Sequence, residues 1–186
     1  MLLREHYSVY GKKMNISSAG INFIKSHEKL ILSASLDDMN IRVIGYGHRE
    51  NICENQVITQ EEADEWLKQD LLKCSELLNN VIEVPVSQNQ FDALCSFLFS
   101  VGAGQRGVKS GLVELRSGQP SALLLFLNQG CYAAAAEQFG SWIYAGNTVK
   151  KDLILRREHE KNLFLRKRRL ATDVILQPAA SGGLPR

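Results

Sequence analysis

Two carboxylates, Glu28 and Asp37, stand nine residues apart near the start of the chain. Cleavage of a glycosidic bond needs such a pair. One carboxylic acid protonates the departing oxygen, and a second carboxylate stabilises the cationic sugar, attacks it or activates a water. The two must face each other across a substrate, which a helix end and a turn can do. Ile21, Ile24 and Leu30 follow Ser17-Ser18 at near-helical spacing, which predicts a helix over about 18–28 with Glu28 at its end. Asp37 opens the turn-like Asp37-Asp38-Met39-Asn40. This lies between Leu32-Ser33-Ala34-Ser35 and the β-branched Ile41-Arg42-Val43-Ile44, and reads as a small hairpin broken by Gly45-Tyr46-Gly47-His48. Most Glu and Asp residues are simply solvated, so the pair needs a frame around it.

Other chemistries find less support. Gly102 to Ser110 resembles a phosphate loop, but Val108 separates the second glycine from Lys109, and a helix rather than a strand precedes it. No nucleophile elbow of the G-x-S-x-G type occurs. The four histidines, His6, His27, His48 and His159, lack metal-ligand spacing, and Cys53, Cys74, Cys95 and Cys131 form no C-x-x-C pair. Cys74 and Cys95 fall in helix-like apolar patterns and are expected to be buried thiols, with the chain reduced. No metal or cofactor is implied.

The positioning elements follow from local signals. Thr59-Gln60-Glu61-Glu62 and Ser87-Gln88-Asn89-Gln90 each set a capping hydroxyl three residues before a Glu or Gln. The first predicts a helix over about 60–80. The second opens an apolar helix through Phe91, Leu94, Cys95, Leu98 and Val101, expected to be central and buried. Residues 102–120 are Gly-rich and less regular. Further helices are expected from Ser121 through Leu127, from Tyr132 to Trp142, and from Lys151 to about Arg169. Ser110–Leu115 resembles Ser121–Phe126, through a short duplication or through chance between Leu-rich segments.

Charge is unevenly placed. The chain sums to +2, yet residues 150–169 hold nine Lys/Arg and three Asp/Glu, a local +6 that leaves −4 elsewhere. Such a patch is a solvated helix face or the footprint of an anionic partner. Nucleic acid as that partner rests on charge alone and is not favoured. Residues 1–16 read as an extension without period, 17–168 as one domain, and 169–186 as a tail of linker composition expected to be flexible. Met1 to His6 lacks the apolar stretch of a signal peptide.

The run from Glu28 through Asp37 to Gly45-Tyr46-Gly47-His48 resembles, without gaps, the phage-type lysozymes or endolysins, a glycoside hydrolase family of muramidases. The likeness continues through Thr59 to Leu71, Val86 to Gly102, Ser121 to Gly130, Trp142 and Arg156-Arg157-x-x-Glu160, covering roughly residues 17–168. It implies an α+β, lysozyme-like fold: a small N-terminal lobe with a short antiparallel sheet and a larger helical lobe, joined by the helix at 60–80. It implies hydrolysis of the β-1,4 bond between N-acetylmuramic acid and N-acetylglucosamine in peptidoglycan, with inversion, by a monomer. Glu28 would be the general acid. Asp37 would stabilise the transition state and help hold water. Tyr46, Gly47 and Ser100 would bind substrate, and Arg156 or Arg157 would position Glu28. His48 and Asp70 would form a structural ion pair. The basic last helix would meet an anionic envelope surface. A chain made in the cytoplasm would reach the wall after release by a holin or a secretion system.

Departures from the family pattern set an alternative. Relatives carry a threonine where Val43 stands, and its hydroxyl orients the attacking water. Ser35 replaces a tyrosine, Asn40 a glycine, and Ser100 a larger amide. Either Ser33, Ser35 or Asp38 supplies the missing polar group, or the enzyme is slow, or the cleft binds peptidoglycan as an inactive scaffold.

Overall fold

The computed structural model describes residues 13–37 and 40–166. Asp38, Lys167, Arg168, Arg169, the stretch 1–12 and the tail expected to be flexible lie outside the described residues.

Ser17 caps α1 (Ser18–Lys25), its hydroxyl accepting from the Gly20 N–H. The helix stops three residues short of the expected end. Glu28 therefore sits on the connection to the hairpin, its N–H still donating to Ile24 O at 3.1 Å. Strands β1 (Ile31–Leu36) and β2 (Arg42–Gly45) pair antiparallel, with Ser35 opposite Val43 and an irregularity between Ile31 and Ser35. Asn40 takes φ 63 in the turn, the left-handed conformation that a glycine would adopt freely and that asparagine tolerates best among the others.

Both expected capping boxes form. Thr59 and Glu62 open α2 (Gln60–Val81), and Ser87 and Gln90 open α3 (Gln88–Val101). Helix α2 joins two cores. Its Ala63, Leu67 and Leu71 pack with Ile24, Ile44, Tyr46 and Ile58, while Leu78 enters the larger cluster around α3. Helix α3 buries eight consecutive residues, Phe91 to Leu98, so elements surround it on all sides. Helix α4 (Ala122–Asn128) uses Ser121 as its cap. The similar Ser110–Leu115 is not helical: Gly111 N–H donates to Glu114 O, and Leu112 N–H to Gly102 O. Here the chain packs backbone on backbone, and a Cβ on Gly104 would stand 1.8 Å from Glu114 O.

The expected helix over 132–142 divides. α5 (Tyr132–Glu137) passes into a 3-10 turn, Gln138–Ser141, which drives Phe139 into the core. A hairpin of two-residue strands, β3 (Tyr144–Ala145) and β4 (Thr148–Val149), turns at Gly146 and precedes α6 (Lys151–Leu165). Helix α6 packs chiefly on α3. All four cysteines are free thiols. Cys95 is buried and Cys74 half-buried, and burial pushes both thiols up to about 12. Among the described residues no helix is long and apolar enough to cross a membrane.

Candidate active site

Arg156 of helix α6 reaches back to the connection that follows α1. Arg156 Nη1 donates to Glu28 Oε1 at 2.5 Å, across 128 residues of sequence. Arg156 is itself buried, and the rest of its fork is occupied. Nε donates to Glu160 Oε1 at 3.1 Å, and Nη2 reaches Ser96 O at 3.3 Å. Ser96 Oγ closes the ring by donating to Glu160 Oε1 at 2.6 Å.

The neighbouring Arg157 takes a different direction. Its Nη2 donates to Ser100 Oγ at 2.7 Å, and its guanidinium lies 4.8 Å from the centre of the Phe97 ring. Its Nε stands 3.2 Å from Glu160 Oε2, an ion pair outside good hydrogen-bond geometry. Of the two candidate arginines, Arg156 holds Glu28 and Arg157 holds Ser100. Two buried cations and two carboxylates thus form a neutral cluster, the condition under which buried charge is tolerated. Burial pushes the Glu160 carboxyl upward while both arginines oppose it, and burial draws Arg157 down to about 10, still a cation at neutral pH.

Asp37 is fixed from two sides. Its Oδ1 accepts from Ile41 N–H and its Oδ2 from Arg49 Nη2, each at 2.9 Å. The first bond is made within its own turn, and the second comes from just beyond the Gly45–His48 break. Val43 is buried, whereas Ser35 opposite it is exposed. Directly paired residues of an antiparallel ladder project from the same face. Ser35 therefore stands beside Val43 on the same face of the hairpin.

His48 Nδ1 lies 2.8 Å from Asp70 Oδ2, and its Nε2 lies 2.9 Å from Glu50 O. This pair ties the end of the hairpin to α2, where Lys73 also approaches Asp70. Tyr46 is almost fully buried. Its hydroxyl is engaged by Asp64, and burial first, then that bond, raises its pKa. Lys25, 2.7 Å from Asp64, holds that carboxyl low. Tyr46 is therefore bonded within the protein, while Gly47, at φ 93, has open space where a side chain would be.

Sequence reasoning missed Arg49, Ser96 and the pairing of His27 with His159. His27 Nε2 and His159 Nδ1 lie 3.3 Å apart, beside Glu28. Burial, then Arg156, His159 and Arg157, bring His27 down to about 4. A cavity of about 380 Å³ between α1, α3 and α6, lined by Phe23, Asn89, Asp92 and Leu163, contains neither catalytic candidate.

The phage lysozyme family model matches residues 25–160. The endolysin of Acyrthosiphon pisum secondary endosymbiont phage 1 is 37% identical over 155 residues, spanning 81% of this chain and 98% of that protein. The endolysin of Salmonella phage P22 is 37% identical over 158 residues, spanning 82% and 99%. Among solved structures, the muramidase domain of SpmX from Asticaccaulis excentricus superposes with a TM-score of 0.69 at 36% identity, over 82% of this chain and 99% of that domain.

Proposed function

The chain belongs to the phage lysozyme family, and on that premise we propose that it hydrolyses the β-1,4 bond between N-acetylmuramic acid and N-acetylglucosamine, with Glu28 as the acid. It is a glycosidase of the peptidoglycan-hydrolase class. The observation that carries the assignment of Glu28 is its bond to Arg156. A charged fork anchored in the core fixes the carboxyl at the protein surface. Because Arg156 also serves Glu160, Glu28 does not face an uncompensated cation.

In this reading Glu28 delivers its proton to the leaving sugar oxygen as the glycosidic bond breaks. Asp37, kept in place by Arg49 and Ile41 N–H, stabilises the positive charge that develops on the sugar. A water then attacks the opposite face with inversion and gives its proton to the Asp37 carboxylate. Ser35 holds that water in place of the hydroxyl that Val43 lacks. Gly47 offers an open backbone to the glycan, His48 and Asp70 brace the hairpin, and Arg157 orients Ser100 toward substrate. The working unit is a monomer over residues 17–168, acting on the wall after release by a holin or a secretion system. The basic stretch from Lys150 to Arg169 adds a salt-sensitive hold on the anionic envelope.

The test is release of reducing ends from purified peptidoglycan by the parent chain and by Glu28→Gln. Loss of a positioned acid costs about 10²–10⁴-fold in rate, so the variant should fall near background. If the parent releases nothing while it still sediments with the wall, the chain binds without cutting and the assignment is wrong.

A further inference from the structure

We propose that the hydrogen bond between His27 and His159 is a positioning device for the acid, fixing the backbone from which Glu28 extends. The inference rests on the assignment of Glu28 as that acid. Its basis is placement. Glu28 lies beyond the end of α1, on a connection whose N–H groups still turn back to that helix: His27 and Glu28 both donate to Ile24 O, at 2.9 and 3.1 Å. Helix ends fray unless something outside them holds them. Helix α6 supplies two such holds. Arg156 and His159 stand three residues apart on it, on one face and about 4.5 Å apart along its axis.

These two side chains take consecutive residues of the connection. His159 Nδ1 lies 3.3 Å from His27 Nε2, and Arg156 Nη1 is bonded to Glu28 Oε1. A hold on the carboxyl alone leaves the chain behind it free to pivot about the Arg156 bond. A second hold, on the preceding residue, removes that pivot. Phe23, four residues before His27, packs its ring edge-on against that imidazole with centroids 4.9 Å apart, which limits how the ring can turn away.

An N–H···N bond between imidazoles needs at least one neutral ring to supply the lone pair. His27 meets that need. Burial first, then Arg156, His159 and Arg157 on α6, hold it down to about 4, so the ring is neutral well above that value. The other charges near it are engaged elsewhere, Glu28 with Arg156 and Lys25 with Asp64. The clamp matters because an acid must meet the leaving oxygen within hydrogen-bond reach, and a misplacement of about 1 Å can cost about 10²-fold in rate.

The experiment compares His159→Asn with His159→Leu in the full chain. An asparagine amide sets Nδ2 and Oδ1 at the reach of an imidazole Nδ1, and serves His27 as donor or as acceptor. Leucine fills a similar volume without a polar atom. Both variants remove the same titratable group, so the difference between them reads the bond itself. On soluble glycan strands His159→Leu should lower kcat by about tenfold with KM unchanged, the pattern of an interaction that acts only on the transition state. His159→Asn should recover most of that loss. His159 is exposed, so both should melt within about 2 °C of the parent. The same comparison from the other side, His27→Gln against His27→Leu, should give the same split and guards against a defect confined to α6. Equal rates in the amide and leucine variants, or a loss seen in KM rather than kcat, would overturn the clamp. If the parent still cuts and Glu28→Gln does not, that result leaves the muramidase assignment standing. A parent that releases no reducing ends overturns both.

Discussion

Replacing Arg156 by alanine tests whether the network behind Glu28 is one charge system. Glu160 is 0% exposed and Arg156 6% exposed. Breaking a buried ion pair by deleting one partner costs about 3–5 kcal/mol, because the remaining charge is left in a poor solvent. Glu160 would keep Ser96 at 2.6 Å and Arg157 at 3.2 Å, which places the cost at the lower end, about 3 kcal/mol. For a chain of this size each kcal/mol moves the melting point by about 2–4 °C, so Tm should fall by about 6–12 °C. Glu28→Gln is the control. It leaves Arg156 paired with Glu160, and should shift Tm by less than about 2 °C. A second readout is the pH dependence. Without Arg156, burial raises the Glu160 carboxyl further above its unfolded value. The native variant then binds more protons than its unfolded chain, and it regains stability as pH falls. The deficit measured by calorimetry should therefore be smaller at pH 5 than at pH 7. A Tm loss below about 2 °C, or a deficit that grows on acidification, would refute the charge-network account.

Three further outcomes can be checked. Ser35→Ala should slow reducing-end release by about 10²-fold if its hydroxyl holds the water, and Val43→Thr in that background should restore the rate; an unchanged Ser35→Ala removes Ser35 from the mechanism. Gly104→Ala should cost more than about 3 kcal/mol in denaturant unfolding, since its Cβ would overlap Glu114 O, whereas Gly47→Ala, in open space, should cost about 1–2 kcal/mol for its backbone angle alone. Stability should fall as pH drops from 6.5 toward 4. Through that window the unfolded chain takes up a proton at His27 that the native protein accepts only near 4, and the contribution is fully present above 6.5. Tm against pH should flatten in His27→Gln.

The boundaries that the sequence made legible are those written in local chemistry. Thr59 with Glu62 and Ser87 with Gln90 mark helix starts to the residue, because a cap is a contact between neighbours. The hairpin at 144–149 escaped notice because two-residue strands are too short to show alternation. The end of the first helix was misplaced because Ile24 and Leu30 keep an apolar rhythm past Lys25, although the helix has stopped. Glu28 and Asp37 stand out as a pair by type and spacing, and the resemblance offers Arg156 or Arg157 beside Glu28 without choosing between them. Arg156 and Arg157 differ by about 100° around α6, and only the packing of that helix decides which one meets Glu28. Glu160 stands in the Arg156-Arg157-x-x-Glu160 run that carries the resemblance, but its enclosure follows only from the packing of α6 on α3. Ser96 did leave a signal: a hydroxyl amid Phe91 to Leu98 must find a partner once buried. His27 and His159 have no meaningful sequence spacing at all, since 132 residues separate them.

The bond between Arg156 and Glu28 also bears on how the molecule is made. Ribosomes deliver both candidate carboxylates early and α6 late, so a nascent chain has the acid long before it has the group that fixes it. A product halted before Lys151, or a fragment released by a protease ahead of it, would carry Glu28 and Asp37 without Arg156, Arg157 or Glu160. Ser96 and Ser100 would then lose their charged partners, and the face of α3 that α6 covers would be exposed. Such a copy would hold both carboxylates without the bond that fixes Glu28.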